Sequence, residues 1–300
     1  MNFPLAAEGG FRSAFDQLRR RDALSNVCAL TLCLCTFFGF KDAIFAIIAQ
    51  VALIAVLCNR EFLTRWELWF AIALSGTGVL IYDWSVSDNH KYLLVYWLWV
   101  VTIAAYAQRY DLAGKILESH ARFFLVFIFL MAAIQKMLSG TYMSGAMFEM
   151  KLLLDARFAA FAHLAGIDAG TLAKVDLELA TLRSPLAVFP DNARLISSTD
   201  YVRTVAQAIT WYDLLIQIAI GALFLPVRKI TDKAAHVALL FFIFTTYIPA
   251  PVFGFGWLLS ILGFALARKL ESPLISNAYL ASFVAILLYQ LPWREWVLAH

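Results

Sequence analysis

Apolar residues along this chain fall in long blocks closed by short clusters of charged or turn-forming residues. The blocks approach the roughly 20 residues that a helix needs to cross a bilayer. Nine are read: Ala23 to Phe40, Ala43 to Cys58, Trp66 to Tyr82, Tyr92 to Ala107, Phe123 to Leu138, Val205 to Val227, Ala235 to Ile248, Phe253 to Ala267 and Pro273 to Leu291. Several are only 14 to 18 residues long. Near Pro249, Pro251 and Gly254 the stretch Tyr247 to Gly256 reads either as a tight outer loop or as a re-entrant turn, which would leave eight spans. The predicted fold class is an all-α integral membrane protein, multi-pass, in the inner membrane if the source is bacterial.

Composition agrees with the pattern. The 300 residues are 62% hydrophobic and 15% charged, with mean hydropathy +0.75, against about 25% charged in soluble domains. The net charge of +3 carries no suggestion of nucleic acid; where the charges lie matters more. With the N-terminus inside, the inner segments hold fourteen cations: Arg12, Arg19, Arg20, Arg21, Arg60, Arg65, Arg109, Lys115, Arg122, Arg228, Lys229, Lys233, Arg268 and Lys269. The short outer segments hold three, Lys41, Lys91 and Arg294. That bias predicts a cytoplasmic N-terminus, an external C-terminus, and external placement of Asp83 to Lys91 and Ser139 to Thr204.

The first residues, with Phe3, Phe11, Phe15 and Leu18 among the arginines, lack a signal-peptide core. They read as a basic topogenic tail or a short amphipathic helix on the inner leaflet. Residues 1–300 are taken as one transmembrane domain, with 1–22 as the tail and 139–204 as an outer insertion. Two or three amphipathic helices are expected in that insertion from Met147, Leu152, Leu153, Phe158, Phe161 and Leu164. Gly166, Gly170, Pro185, Pro190 and Asp191 are read as its turns. Cys28, Cys33, Cys35 and Cys58 form no Cys-x-x-Cys pair and read as small apolar packing residues. This disfavours thiol-redox, zinc and Fe–S chemistry.

One residue interrupts the apolar pattern. Lys136 closes the run RFFLVFIFLMAAIQKML, 14 residues beyond Arg122, about 21 Å of helix, which places it in the outer third of a bilayer. An ammonium there costs at least about 2.5 kcal/mol and is kept where it is paired, snorkelled or used. Snorkelling needs only its own alkyl stem. As a partly desolvated amine it could serve as a base. Asp213, in TWYDLLIQI at similar depth, is the candidate counter-ion; pairing would keep the lysine charged and make the pair structural. His90, at an outer helix start, could orient or donate to a ligand, or be an ordinary helix-end residue. His236 lies at the inner end of its span.

Two of these stretches resemble the vitamin K-dependent γ-carboxylase family and its bacterial relatives, the horizontally transferred transmembrane (HTTM) proteins. Asn89-His90-Lys91-Tyr92-Leu93 is similar to the family's Asn-His-x-Tyr-Leu. Ala132-Ala133-Ile134-Gln135-Lys136-Met137-Leu138, followed by Tyr142 and Gly145, resembles its Ala-Gly-x-x-Lys-Leu with a downstream aromatic and glycine. His236 through Phe255 is a weaker likeness. Gln135 stands where the carboxylase has a second lysine, Ala133 replaces the glycine, and the downstream glycine is one residue further on. The carboxylase's lumenal β-rich domain has no counterpart in this sequence.

The resemblance implies Lys136 as the base that deprotonates a reduced quinone of vitamin K type, His90 as the histidine supporting the oxygenated intermediate, and Asn89, Tyr142 and Asp213 beside the cofactor. Two function classes follow. One is a membrane enzyme acting on a lipid-soluble quinol or other apolar substrate, leaning to carboxylase- or epoxidase-like chemistry. The other is a non-catalytic factor for maturation or export of a small secreted peptide, with the bilayer and that peptide or a membrane protein as partners. Transport is disfavoured, because the intramembrane charges cluster in the outer half.

Overall fold

The computed structural model describes residues 23–40, 42–85, 87–182, 198–225, 229–247, 253–270 and 272–290. The basic tail, Lys41, Pro185, Pro190, Asp191, Arg228, Arg294 and the turn residues Pro249 and Pro251 lie outside them. Among the described residues the chain is helical with no strand, and thirteen α-helices run in order. They are α1 (Ala23–Phe38), α2 (Ala43–Cys58), α3 (Trp66–Tyr82), α4 (Asn89–Ala107), α5 (Ala113–Leu138), α6 (Gly140–Met143), α7 (Ala146–Leu154), α8 (Ala159–Leu164), α9 (Ala169–Leu182), α10 (Asp200–Phe224), α11 (Lys229–Tyr247), α12 (Phe253–Ala267) and α13 (Pro273–Gln290). Two of these, α5 and α10, are long and apolar enough to cross a membrane. The chain divides into two compact units, Met1–Leu125 with Val252–His300, and Val126–Pro251.

In the first unit, α3 and α4 form an antiparallel hairpin. Trp66 meets Tyr106 edge-on at 5.7 Å and Phe70 meets Trp99 at 5.6 Å. The Trp99 indole N–H donates to Thr77 Oγ1 at 3.0 Å, and that of buried Trp97 donates to Thr31 Oγ1 at 3.1 Å, tying α4 to α1. Each indole thus finds the partner a buried N–H requires. Trp257 of α12 stacks on Phe283 of α13 at 4.0 Å and meets Phe38 edge-on at 4.3 Å.

In the second unit, α10 carries a buried stripe of Val202, Ala206, Thr210, Asp213, Leu214, Gln217, Ile220, Gly221 and Phe224, the spacing of one helical face. Its first turns pack with Leu152, Leu153, Ala162, Ile167 and Val175 into a small apolar core. Asp168 caps α9, accepting from the Thr171 N–H at 2.8 Å and its hydroxyl at 2.6 Å.

Within the described residues each of the nine apolar blocks falls on a helix, the block ends Val227, Ile248 and Leu291 lying outside them, but several boundaries differ. α5 begins ten residues before Phe123, since Lys115, Glu118 and Arg122 end an apolar run without ending a helix. Among its described residues the segment 139–204 contains four helices, α6–α9, where two or three were expected; left-handed Gly145 (φ 79°) and Gly166 (φ 82°) make two of the breaks and extended Asp155, which ends α7, makes the third. Gly170 lies inside the first turn of α9 and marks no turn. Cys28 and Cys35 are buried as expected of packing residues, whereas Cys58 is exposed at the end of α2.

Candidate functional site

The last two turns of α5 extend its buried face from Leu125, Phe129 and Ala133 to Lys136, three residues further on. The chain then reverses through α6. The Ser139 hydroxyl accepts from the Tyr142 N–H at 3.3 Å, and this cap turns the Tyr142 side chain inward, leaving the residue 2% exposed. Gly145 then takes φ 79°, where a Cβ would lie 2.9 Å from Gln207 Oε1 of α10. Gln207 in turn donates to the Met143 carbonyl at 3.2 Å. Both the dihedral and the close approach call for glycine.

These turns deliver Lys136 and Tyr142 to Asp213. The Lys136 ammonium donates to Asp213 Oδ2, and the Tyr142 hydroxyl donates to the same oxygen. Gln217, one turn along α10, donates Nε2 to Oδ1 at 2.8 Å. The ammonium also lies 5.0 Å from the centroid of the Tyr142 ring. Asp213 is 7% exposed and Gln217 6%, so the carboxylate has exchanged water for three donors, two of them neutral. Burial, reinforced by the Asp213 carboxylate, pushes the Tyr142 phenol above its ordinary range, which holds it as the donor.

The cluster is not fully satisfied. Among the described residues, Lys136 donates to Asp213 alone, which leaves two of its three N–H bonds without a protein acceptor. Gln217 Oε1 is buried and, among the described residues, accepts from nothing. Its amide orientation is fixed by the donation to Asp213, since the flipped amide would set two oxygens against each other.

Three of the five residues singled out from the sequence, Lys136, Tyr142 and Asp213, therefore meet in the second unit. His90 and Asn89 belong to the first unit. There His90 is half-buried and stacked on Phe255 with centroids 5.1 Å apart, Asn89 is exposed at the start of α4, and Lys91 holds its ammonium 5.8 Å above the Phe40 ring. Burial lowers the His90 pKa below its usual 6.5, with the Asp88 carboxylate opposing. His236 is buried against Phe224 at 5.4 Å. Sequence reading missed Gln217; its signal was the four-residue spacing from Asp213, which puts both on one helix face. No group of three His, Cys, Asp or Glu side chains suited to a metal occurs among the described residues.

Compared with protein-family models, with characterised proteins and with solved structures, the chain matches none.

Proposed function

We propose that this chain is a multi-pass membrane protein, akin to the γ-carboxylase-like family it resembles, and that the Lys136–Asp213 centre receives a lipid-soluble hydroxylic ligand of reduced-quinone type. Support for the membrane placement comes from α2, where Ile44, Ile47, Val51, Ile54 and Leu57 are each more than half exposed. Water does not accommodate a stripe of that length readily, whereas lipid does.

The observation that carries the ligand reading is the half-finished hydrogen bonding. A clamp that only held helices together would satisfy its polar groups throughout, since a partly satisfied buried network is less stable than an apolar one. Here two ammonium N–H bonds and one amide oxygen are open, a pattern that a hydroxyl able both to donate and to accept would complete. The pairing also changes the roles implied by the resemblance. While bound to Asp213, Lys136 is an ammonium and no resting base. A ligand hydroxyl at this centre donates to Gln217 Oε1 and accepts from the ammonium, which Asp213 holds in place. Lys136 then stabilises negative charge that develops on that oxygen.

The test is a thermal-shift titration of detergent-purified protein with a short-chain naphthoquinol. Wild type is expected to be stabilised, Lys136→Arg to keep part of the shift, and Asp213→Asn to lose it. A wild type that shows no shift would sink the quinol reading.

The second reading, a maturation or export factor for a small secreted peptide, is favoured by Met150, Leu164 and Leu177. These are apolar, more than half exposed, and lie on the insertion read as external. In that case the cluster serves as a clamp beneath a peptide-binding surface.

A further inference from the structure

Glu61, Arg65, Trp66, Glu67, Tyr106 and Arg109 line an open cleft of about 510 Å³ in the first unit, where the loop before α3 meets the end of α4. Both guanidiniums are held by rings. Arg109 lies 3.5 Å from the Tyr106 ring centroid, with its Nε donating to the Tyr106 carbonyl at 3.1 Å, and Arg65 lies 5.3 Å over Phe62. Among the described residues neither arginine has a carboxylate within ion-pair distance, although Glu61 and Glu67 share the cleft. Four charges thus face one cavity without neutralising each other. Trp66 and Tyr106 are 37% and 44% exposed, the half-wet placement that such rings take at a bilayer surface.

We propose that this cleft binds the headgroup of a zwitterionic phospholipid carrying a primary amine, of the phosphatidylethanolamine class, at the inner leaflet. The proposal rests on the membrane placement above and on the charge bias that puts this end of the helices inside. The phosphate sits between Arg65 and Arg109, and the ammonium donates to Glu61 and Glu67. Paired charges of both signs select against the alternatives. An anionic glycerol headgroup brings only neutral hydroxyls to two carboxylates and leaves their charge uncompensated, and a quaternary choline has no N–H to donate. Cationic pockets between helices on the cytoplasmic side are a recurrent form of headgroup site, and the two glutamates turn this one toward a zwitterion.

Native mass spectrometry of detergent-purified protein, exchanged with an equimolar mixture of phosphatidylethanolamine, phosphatidylglycerol and phosphatidylcholine, tests the assignment. Wild type should retain phosphatidylethanolamine preferentially. Each of Arg65→Gln and Arg109→Gln should weaken retention about fivefold, and Glu61→Gln with Glu67→Gln should move the preference to phosphatidylglycerol. Free phosphoethanolamine should not compete, since the acyl chains hold the lipid in place. Effective competition would assign the cleft to the soluble zwitterion and overturn the lipid proposal. Should the arginine variants fail to fold, the glutamate pair still decides: an unchanged lipid ratio overturns the headgroup assignment. Alkaline carbonate extraction separates the two layers of the argument. Protein released to the supernatant overturns the membrane placement and this site with it, whereas protein kept in the pellet without lipid preference overturns the site alone.

Discussion

Lys136 and Asp213, 77 residues apart in the chain, meet as an ion pair between the end of α5 and the middle of α10. Removing one partner leaves the other charge buried without its counter-ion, at a cost of about 3–5 kcal/mol. Lys136→Met should therefore lower the melting temperature of the detergent-solubilised protein sharply. Lys136→Met combined with Asp213→Leu should recover much of the loss, because an apolar pair leaves no charge to solvate. A double-mutant cycle measured by thermal unfolding checks this; additive effects would mean that the two side chains do not interact.

The pair was legible in the sequence because charge within an apolar run is conspicuous and depth follows from helical rise. Counting along the helical rise from the edges of their runs gives both groups a similar expected depth before any contact is known. What depth does not give is which neighbours complete the carboxylate. Tyr142 was found only through its likeness to a family motif, since an aromatic residue just past a span reads equally well as an interfacial anchor. Gln217 carries no charge and so raises no alarm in an apolar helix; only its four-residue spacing from Asp213 marks it. Helix boundaries were legible where a capping residue closes an apolar block, as Asn59 does after Cys58 and Asp83 after Tyr82, and illegible at α5, where charged residues that close the apolar run continue the helix. The division of 139–204 into the helices α6–α9 depends on positive φ at Gly145 and Gly166 and on extended backbone at Asp155, which periodicity does not report.

Gly145→Ala should destabilise the second unit by about 1–2 kcal/mol through its left-handed backbone alone. The new Cβ would also meet Gln207 Oε1 at 2.9 Å. Adding Gln207→Ala should relieve that crowding and leave the dihedral cost in place, so partial recovery in thermal unfolding is expected. Full recovery would show that the backbone is not strained there.

Acidification should weaken the first unit through His90. Burial lowers its pKa below 6.5 in the folded chain, against the smaller pull of Asp88. The unfolded chain therefore binds the proton first as pH falls through 6.5. Stability is then level above that value and declines below it until the folded-state pKa is passed, by at most about 1.4 kcal/mol per pH unit. Thermal unfolding between pH 7.5 and 5 should show this decline in wild type and a flatter profile in His90→Gln. Equal profiles would mean that His90 carries no linkage.

Cysteine labelling checks the orientation. In a background with Cys28, Cys33, Cys35 and Cys58 replaced, which also removes the exposed Cys58 thiol, Ser87→Cys and Ser198→Cys should react with an impermeant maleimide from outside. Lys115→Cys should react only after the membrane is opened. Labelling of Lys115→Cys in intact cells would invert the topology and move the Lys136 centre to the inner half.

Gln217 separates a ligand centre from a clamp. Gln217→Leu removes a hydrogen bond to a carboxylate, a loss of about 1.5–3 kcal/mol, and also removes a buried carbonyl that accepts from nothing, a gain of about 1–3 kcal/mol. The two nearly cancel, so the variant should unfold close to the wild-type temperature. If Oε1 faces a ligand hydroxyl, the same variant loses most of the naphthoquinol-induced shift while keeping its stability; Gln217→Glu keeps an oxygen there but sets a second carboxylate against Asp213, and should lose both. Measuring unfolding with and without naphthoquinol across the three proteins decides the matter. A Gln217→Leu protein with an undiminished shift would mean that the open amide oxygen takes no part in binding, and the cluster would then stand as a clamp, with the peptide-maturation reading the stronger of the two.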